Sequence, residues 1–139
     1  MIRTLTAVVI VAVALASGSA PAAAEDAACF DHNGSLMRVA YLGGRFTITY
    51  ERPREVLRRA GVRRGTTLAN GIATDGGLTG TARRFSRHCV GRPLVYEVSG
   101  HYEGDDSIVL VGERPVYDRC RPTGRTTVDE LFFDYVGPC

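Results

Sequence analysis

The chain of 139 residues carries 17 basic and 15 acidic residues, a formal net charge of +2, with 45% hydrophobic and 8% aromatic residues. That supports one domain with a real but not generous core. Near-neutrality argues against a dedicated nucleic-acid binder, which is basic overall.

The N-terminus has three parts: a short start with Arg3, an almost wholly apolar run over 5–16, and a small-residue stretch ending Ala22-Ala23-Ala24. A positive start, a short apolar core and an A-x-A site predict a cleaved secretory signal peptide over 1–24. The apolar run is well short of the roughly 20 residues a membrane-spanning helix needs, and no later segment could span a membrane. Cleavage after Ala20 would place Pro21 beside the scissile bond. A lipoprotein site at Cys29 would put Asp26 where an aliphatic residue belongs. The expected mature chain is a single β domain, 25–139, in the periplasm or secreted.

Four cysteines, Cys29, Cys89, Cys120 and Cys139, remain after that cleavage. An even count in an exported domain reads as disulfides, and no close C-x-x-C pair suggests zinc or a redox centre. Three connectivities are open. The preferred one joins Cys89 to Cys120 and Cys29 to Cys139, because the latter bridge would tie two ends that otherwise fray.

The remaining pattern is β. Residues 36–42 and 45–51 flank Gly43-Gly44, which supplies the positive φ of a two-residue hairpin turn. That turn places Leu42 opposite Arg45, Tyr41 opposite Phe46, Val39 opposite Ile48 and Met37 opposite Tyr50. Pro53 can start a short helix with Glu55 in its first turn and Gly61 at its end; an extended arm is the alternative. Residues 66–74 and 78–87 predict a second hairpin around Asp75-Gly76-Gly77, and 89–93 a link. Residues 94–103 alternate, with Leu94, Tyr96, Val98 and Tyr102 on one face. After the turn at 104–106, residues 107–111 read as a central strand. Residues 112–126, rich in Arg and Pro, read as irregular, and a last strand runs over about 127–136 with Leu131, Phe133 and Tyr135 on one side. About seven strands with hairpin connections and at most one short helix predict a mainly β fold, a small antiparallel barrel or sandwich stapled by disulfides.

Candidate chemistry is sparse. Glu97, Ser99, His101 and Glu103 share a strand face where a histidine between carboxylates could do acid–base work, but alternate strand residues stand about 7 Å apart. Asp31-His32-Asn33-Gly34-Ser35 offers oxygen ligands without the spacing of a calcium loop and reads as an Asx-type turn; it also contains an N-glycosylation sequon. His32, His88 and His101 lie too far apart in sequence to suggest a metal site, and no G-x-S-x-G nucleophile elbow is present. No metal or cofactor is expected.

Charge distribution is more informative. Every basic residue is Arg, as GC-rich codon usage produces, so their placement matters more than their identity. Residues 45–92 hold eleven Arg against Glu51, Glu55 and Asp75, a net of +8, whereas 93–139 has a net of −5 and 25–44 a net of −2. Arg52, Arg54, Arg58, Arg59, Arg63 and Arg64 follow the first hairpin; Arg83, Arg84, Arg87 and Arg92 lie in and after the fourth strand. If the two segments adjoin, they form a cationic patch able to grip phosphates or carboxylates bidentately.

Cys29-Phe-Asp-His-Asn-Gly-Ser-Leu-Met37, Tyr50-Glu-Arg-Pro-Arg54, Gly65-Thr66-Thr67-Leu68, Gly80-Thr81-Ala82 and Cys120-Arg121-Pro122-Thr123-Gly124 together resemble an uncharacterised group of small exported alphaproteobacterial proteins of the rhizobial kind. The resemblance implies a Gram-negative periplasm or secretion and carries no activity or site. The resulting expectation is a non-catalytic binding module of the cell envelope whose Arg-rich face meets an anionic envelope component or an acidic protein, not nucleic acid. The alternatives are a small inhibitor of a cell-wall hydrolase and an enzyme using the Glu97/His101/Glu103 face. Oligomeric state stays open.

Overall fold

The computed structural model describes residues 18–22 and 24–139. The expected signal peptide falls mostly outside the described residues. Eight strands follow in chain order: β1 (Asp26–His32), β2 (Ser35–Leu42), β3 (Arg45–Arg52), β4 (Thr67–Thr74), β5 (Gly77–Arg84), β6 (Leu94–Glu103), β7 (Ser107–Asp118) and β8 (Arg121–Gly137), with one short helix, α1 (Glu55–Arg59), between β3 and β4. Each strand pairs antiparallel with its sequence neighbour, and β1 pairs with β8, so the sheet closes into a barrel. The mainly β expectation holds in its barrel form. Closure leaves no unpaired sheet edge around the body of the barrel.

The β2–β3 hairpin forms in the register set by Gly43-Gly44: Met37 faces Tyr50, Val39 faces Ile48, Tyr41 faces Phe46 and Leu42 faces Arg45. Met37, Val39, Phe46, Ile48 and Tyr50 are buried, and their alternates turn outward. The same alternation sends Leu78, Ala82, Tyr96, Val98, Ile108, Leu110 and Phe133 inward from β5 to β8. The lumen is apolar, and the outer face carries Arg38, Thr47, Glu97, Ser99 and His101 beside exposed Ile72, Val95 and Phe132. No helix among the described residues is long and apolar enough to cross a membrane.

Eight strands enclose a lumen barely wide enough for side chains, and glycines let the wall turn. Gly71 on β4 lies directly opposite Gly80 on β5. A Cβ on Gly71 would run into the Thr79 carbonyl oxygen, and one on Gly80 into the Asn70 carbonyl oxygen. The strands therefore approach more closely here than any residue with a side chain permits.

Two segments differ from expectation. Residues 26–32, not read as a strand, form β1, and Asn33-Gly34 is the β1–β2 hairpin turn, with φ of 50° and 80°. Asp31 Oδ1 accepts the Gly34 N–H three residues on at 3.3 Å, so the Asp31 side chain braces the hairpin turn, one residue beyond the reach of an Asx turn. Residues 112–126 are not irregular: β7 and β8 continue through them as a two-stranded ribbon, with a register shift between Pro115 and Tyr117. Residues 121–128 are all exposed, so no buried face imposes alternation on the sequence there. The cysteines pair in the preferred connectivity. Cys29–Cys139 pins the β1–β8 seam with Cα atoms 4.9 Å apart, and Cys89–Cys120 ties the ribbon to the β5–β6 connection at 5.6 Å.

Candidate functional site

Up-and-down winding makes the two barrel ends unequal. The β2–β3, β4–β5 and β6–β7 turns are tight and crowd one end. There the Tyr102 hydroxyl donates to the Tyr41 hydroxyl, and Phe30 meets Tyr135 edge-on at 5.6 Å. The longer connections 53–66 and 85–93 lie at the opposite end with the ribbon.

The Arg-rich segments are those longer connections. Pro53 and Glu55 start α1, and the helix stops at Ala60 and Gly61, where φ is +88°. The buried Ser35 Oγ accepts the Arg54 N–H at 3.0 Å, anchoring the helix entry to β2. The β5–β6 connection folds through successive turns: His88 N–H donates to Ser86 Oγ at 3.1 Å, and Cys89 N–H to Ser86 O at 3.0 Å. Gly61 abuts this connection so closely that a Cβ there would lie 2.8 Å from Val90 Cγ1. The two segments do adjoin.

Between them and the lumen lies a cavity of about 400 Å³, walled by Leu57, Leu68, Phe85 and Leu131 and reached by Arg54, Arg83, Arg84 and Arg87. A neighbouring cavity of about 650 Å³ runs beneath the Cys89–Cys120 bridge and shares Arg84, Phe85, Ser86 and His88; Arg92 and Arg114 line it too.

The Arg cluster divides by partner. Arg58 and Arg59 pair with Glu55 on α1, and Arg64 with Glu51 at 2.5 Å. Arg63 donates to the carbonyl oxygens of Arg58 and Val62 at 2.9 and 3.0 Å. Arg83 donates to Asn70 Oδ1 at 3.0 Å, and Arg84 stands 4.0 Å from Asp129. Arg52 ends β3, exposed. Arg54 and Arg87 are exposed at the cavity and have no ion-pair partner among the described residues.

Uncharged polar groups also line this cavity. His32 is buried, stacked on Phe133 at 4.6 Å, and its Nδ1–H donates to the Phe132 carbonyl oxygen at 2.7 Å. Its Nε2 is left as the acceptor, 3.5 Å from Asn33 Nδ2. Burial lowers the His32 pKa, so the ring is neutral. Burial pushes the Tyr50 phenol up to about 12, and Phe85 meets its ring edge-on at 6.0 Å. Deeper, Asp129 Oδ2 accepts from Arg114 Nε at 2.6 Å and from the Tyr96 hydroxyl at 3.0 Å. Burial, with the hydrogen bond to Asp129, raises the Tyr96 pKa.

Sequence reasoning did not single out Tyr50, Tyr96, Arg114 or Asp129 as site residues. A signal exists: Asp129 shares parity with the inward Leu131 and Phe133, and Arg114 with Ile108 and Leu110. Charges on an inward-facing strand position require a partner. Glu97, His101 and Glu103 lie on the exposed outer face, with His101 Nε2 3.9 Å from Glu103 Oε1 and both side chains about 60% exposed. They do not line the mouth cavity. No group of three metal-ligating side chains gathers among the described residues. No family model matches the chain, and no curated protein or solved structure matches it.

Proposed function

We propose that this protein is an exported, non-catalytic binding module of the cell envelope whose Arg-rich barrel end contacts an anionic ligand or an acidic protein. The convergence of both Arg-rich connections on one open end carries the reading, because Arg54 and Arg87 stand there without ion-pair partners among the described residues. Two disulfides suit an oxidising compartment, periplasmic or secreted. Exposed Arg offers its planar fork to carboxylate or phosphate at small cost, being weakly hydrated.

The test is binding of the oxidised domain to lipopolysaccharide and to anionic vesicles, beside a variant with Arg52, Arg54, Arg58, Arg59, Arg63, Arg64, Arg83, Arg84 and Arg87 replaced by Gln. Binding that weakens with salt and disappears in the variant supports the reading. Binding that is unchanged in the variant overturns it.

A second reading, inhibition of a cell-wall hydrolase, is favoured by the ribbon. Its exposed tip is held by Cys89–Cys120, and Thr123 Oγ1 braces it on the Val116 carbonyl oxygen at 2.7 Å. A rigid exposed hairpin suits insertion into an enzyme cleft with little rearrangement. Stoichiometric inhibition of a lytic enzyme, lost in Cys89→Ser/Cys120→Ser, is the expected result.

A further inference from the structure

We propose that the mouth cavity binds one small amphipathic anion: a single carboxylate or phosphate-monoester head on a compact apolar body. The proposal rests on reading this barrel end as an anion-binding surface, and it names the site and the ligand class.

The cavity has two zones. Its inner wall is apolar, made by Leu57, Leu68, Phe85 and Leu131, and its volume of about 400 Å³ falls within the range of small-molecule sites. Such a wall gains from an apolar ligand body at about 25 cal/mol per Å² removed from water. The rim is cationic. Arg54 and Arg87 reach the cavity from opposite connections, and Arg84 lines it too. Arg84 is partly engaged by Asp129 at 4.0 Å and Arg83 donates to Asn70 Oδ1 at 3.0 Å, so Arg54 and Arg87 are the cavity guanidinium groups without a side-chain partner among the described residues. Two forks suit one carboxylate or phosphate head better than a polyanion, whose further anionic groups would have to approach Asp129.

Hydrogen-bonding groups in the wall add discrimination. The Tyr50 phenol stays protonated and can donate to an oxygen of the ligand, since burial holds its pKa near 12. His32 Nε2 is an acceptor, because Nδ1–H is committed to the Phe132 carbonyl oxygen at 2.7 Å. The anionic head therefore belongs at the Arg rim, and the His32 side of the cavity takes apolar or hydrogen-donating parts of the ligand. The site is held in place by the Ser35–Arg54 hydrogen bond of 3.0 Å on one side and the Cys89–Cys120 bridge on the other. Little ordering is then left for binding to impose.

The experiment titrates the oxidised domain with octanoate, octyl phosphate, 1-octanol and acetate, by calorimetry and by NMR of the leucine methyl groups. The expected result is one-to-one binding of octanoate or octyl phosphate, at least tenfold tighter than octanol or acetate, with shifts centred on Leu57, Leu68 and Leu131. The better of the two anions identifies the head group. Arg54→Gln/Arg87→Gln, both exposed positions, is expected to weaken binding tenfold or more while leaving the melting temperature unchanged. A second variant, Leu57→Asn, is expected to abolish octanoate binding but leave lipopolysaccharide binding intact, because it makes the wall polar without adding a charge beside the Arg. The proposal is overturned if neither anion binds, if octanol binds as tightly, if the shifts map elsewhere, or if Arg54→Gln/Arg87→Gln binds as well as wild type. Failure here with Arg-dependent lipopolysaccharide binding retained would leave the broader reading standing. Octanoate binding without any Arg-dependent binding to lipopolysaccharide or anionic vesicles would confine the anion-binding reading to small ligands of this cavity.

Discussion

Burial lowers the pKa of His32 against the Phe132 hydrogen bond and Asp31, which raise it; Arg54 adds to the lowering. The folded value lies below the ordinary 6.5, so the unfolded chain takes up the proton first. The stability tied to the neutral ring is thus complete above about pH 6.5 and is lost as the pH falls toward the folded value. Thermal melts at stepped pH are expected to show wild type losing more stability than His32→Gln in that window; parallel curves would refute the assignment. A second residue-scale expectation concerns Asp129, whose carboxylate is 16% exposed and faces an Arg114 side chain that is 11% exposed. Asp129→Asn removes the charge that satisfies Arg114 and is expected to cost on the order of 2 kcal/mol in urea unfolding. Tyr96→Phe loses one hydrogen bond to the same oxygen and is expected to cost about 1 kcal/mol. Equal losses would mean that the charge on Asp129 contributes nothing beyond its hydrogen bond to Tyr96.

Among the elements, β4 and β5 depend on the opposed Gly71 and Gly80. Gly71→Ala places a methyl group against the Thr79 carbonyl oxygen, which is backbone and cannot swing aside. The expected loss is about 1–3 kcal/mol, the range for overpacking, read from the denaturant midpoint. The β7–β8 ribbon has a different support. Beyond the barrel body its β8 residues 121–128 are exposed on both faces and none of its β7 residues 113–118 is fully buried, so the Cys89–Cys120 bridge, spanning 31 residues, supplies what deep burial does not. Cys89→Ser/Cys120→Ser is expected to cost about 3 kcal/mol and to raise amide exchange in residues 85–93 and 116–123. Unchanged exchange there would show that the ribbon stands without its staple.

The barrel as a whole closes on a narrow seam. β1 pairs with β8 only through Cys29, Phe30 and Asp31, with a register shift between Cys29 and Phe30, whereas β7 and β8 pair along most of their length. Cys29–Cys139 lies on that seam and closes a loop of 110 residues. Chain entropy sets its contribution at about 4–5 kcal/mol, more than the shorter bridge provides. Cys29→Ser/Cys139→Ser is therefore expected to be the less stable of the two cysteine variants, with β1 the first strand to exchange. The same topology gathers the Arg-rich connections at one end, because an even meander returns alternate loops to the same side.

The sequence by itself determined the local geometry. Gly43-Gly44 and the alternation around it specified the β2–β3 register pair by pair, since turn twist and a buried face admit one pairing. Pro53, Glu55 and Gly61 likewise marked the short helix, and the preferred disulfides are the ones that form. β1 was not legible, because Asp26, Ala27 and Ala28 carry little strand preference and the strand exists by pairing with both β2 and β8. The ribbon was hidden for the opposite reason: β8 is exposed on both faces over 121–128, and no fully buried residue of β7 over 113–118 marks a hydrophobic period. Proximity was beyond the sequence altogether. Charge counts located the Arg-rich segments. The pairs of Glu55 with Arg58 and Arg59 are local to the helix, but barrel closure decided that the two Arg-rich segments meet and that Arg54 and Arg87 stand at one cavity with His32. The latter contacts join residues distant along the chain, and only long-range strand pairing brings them together.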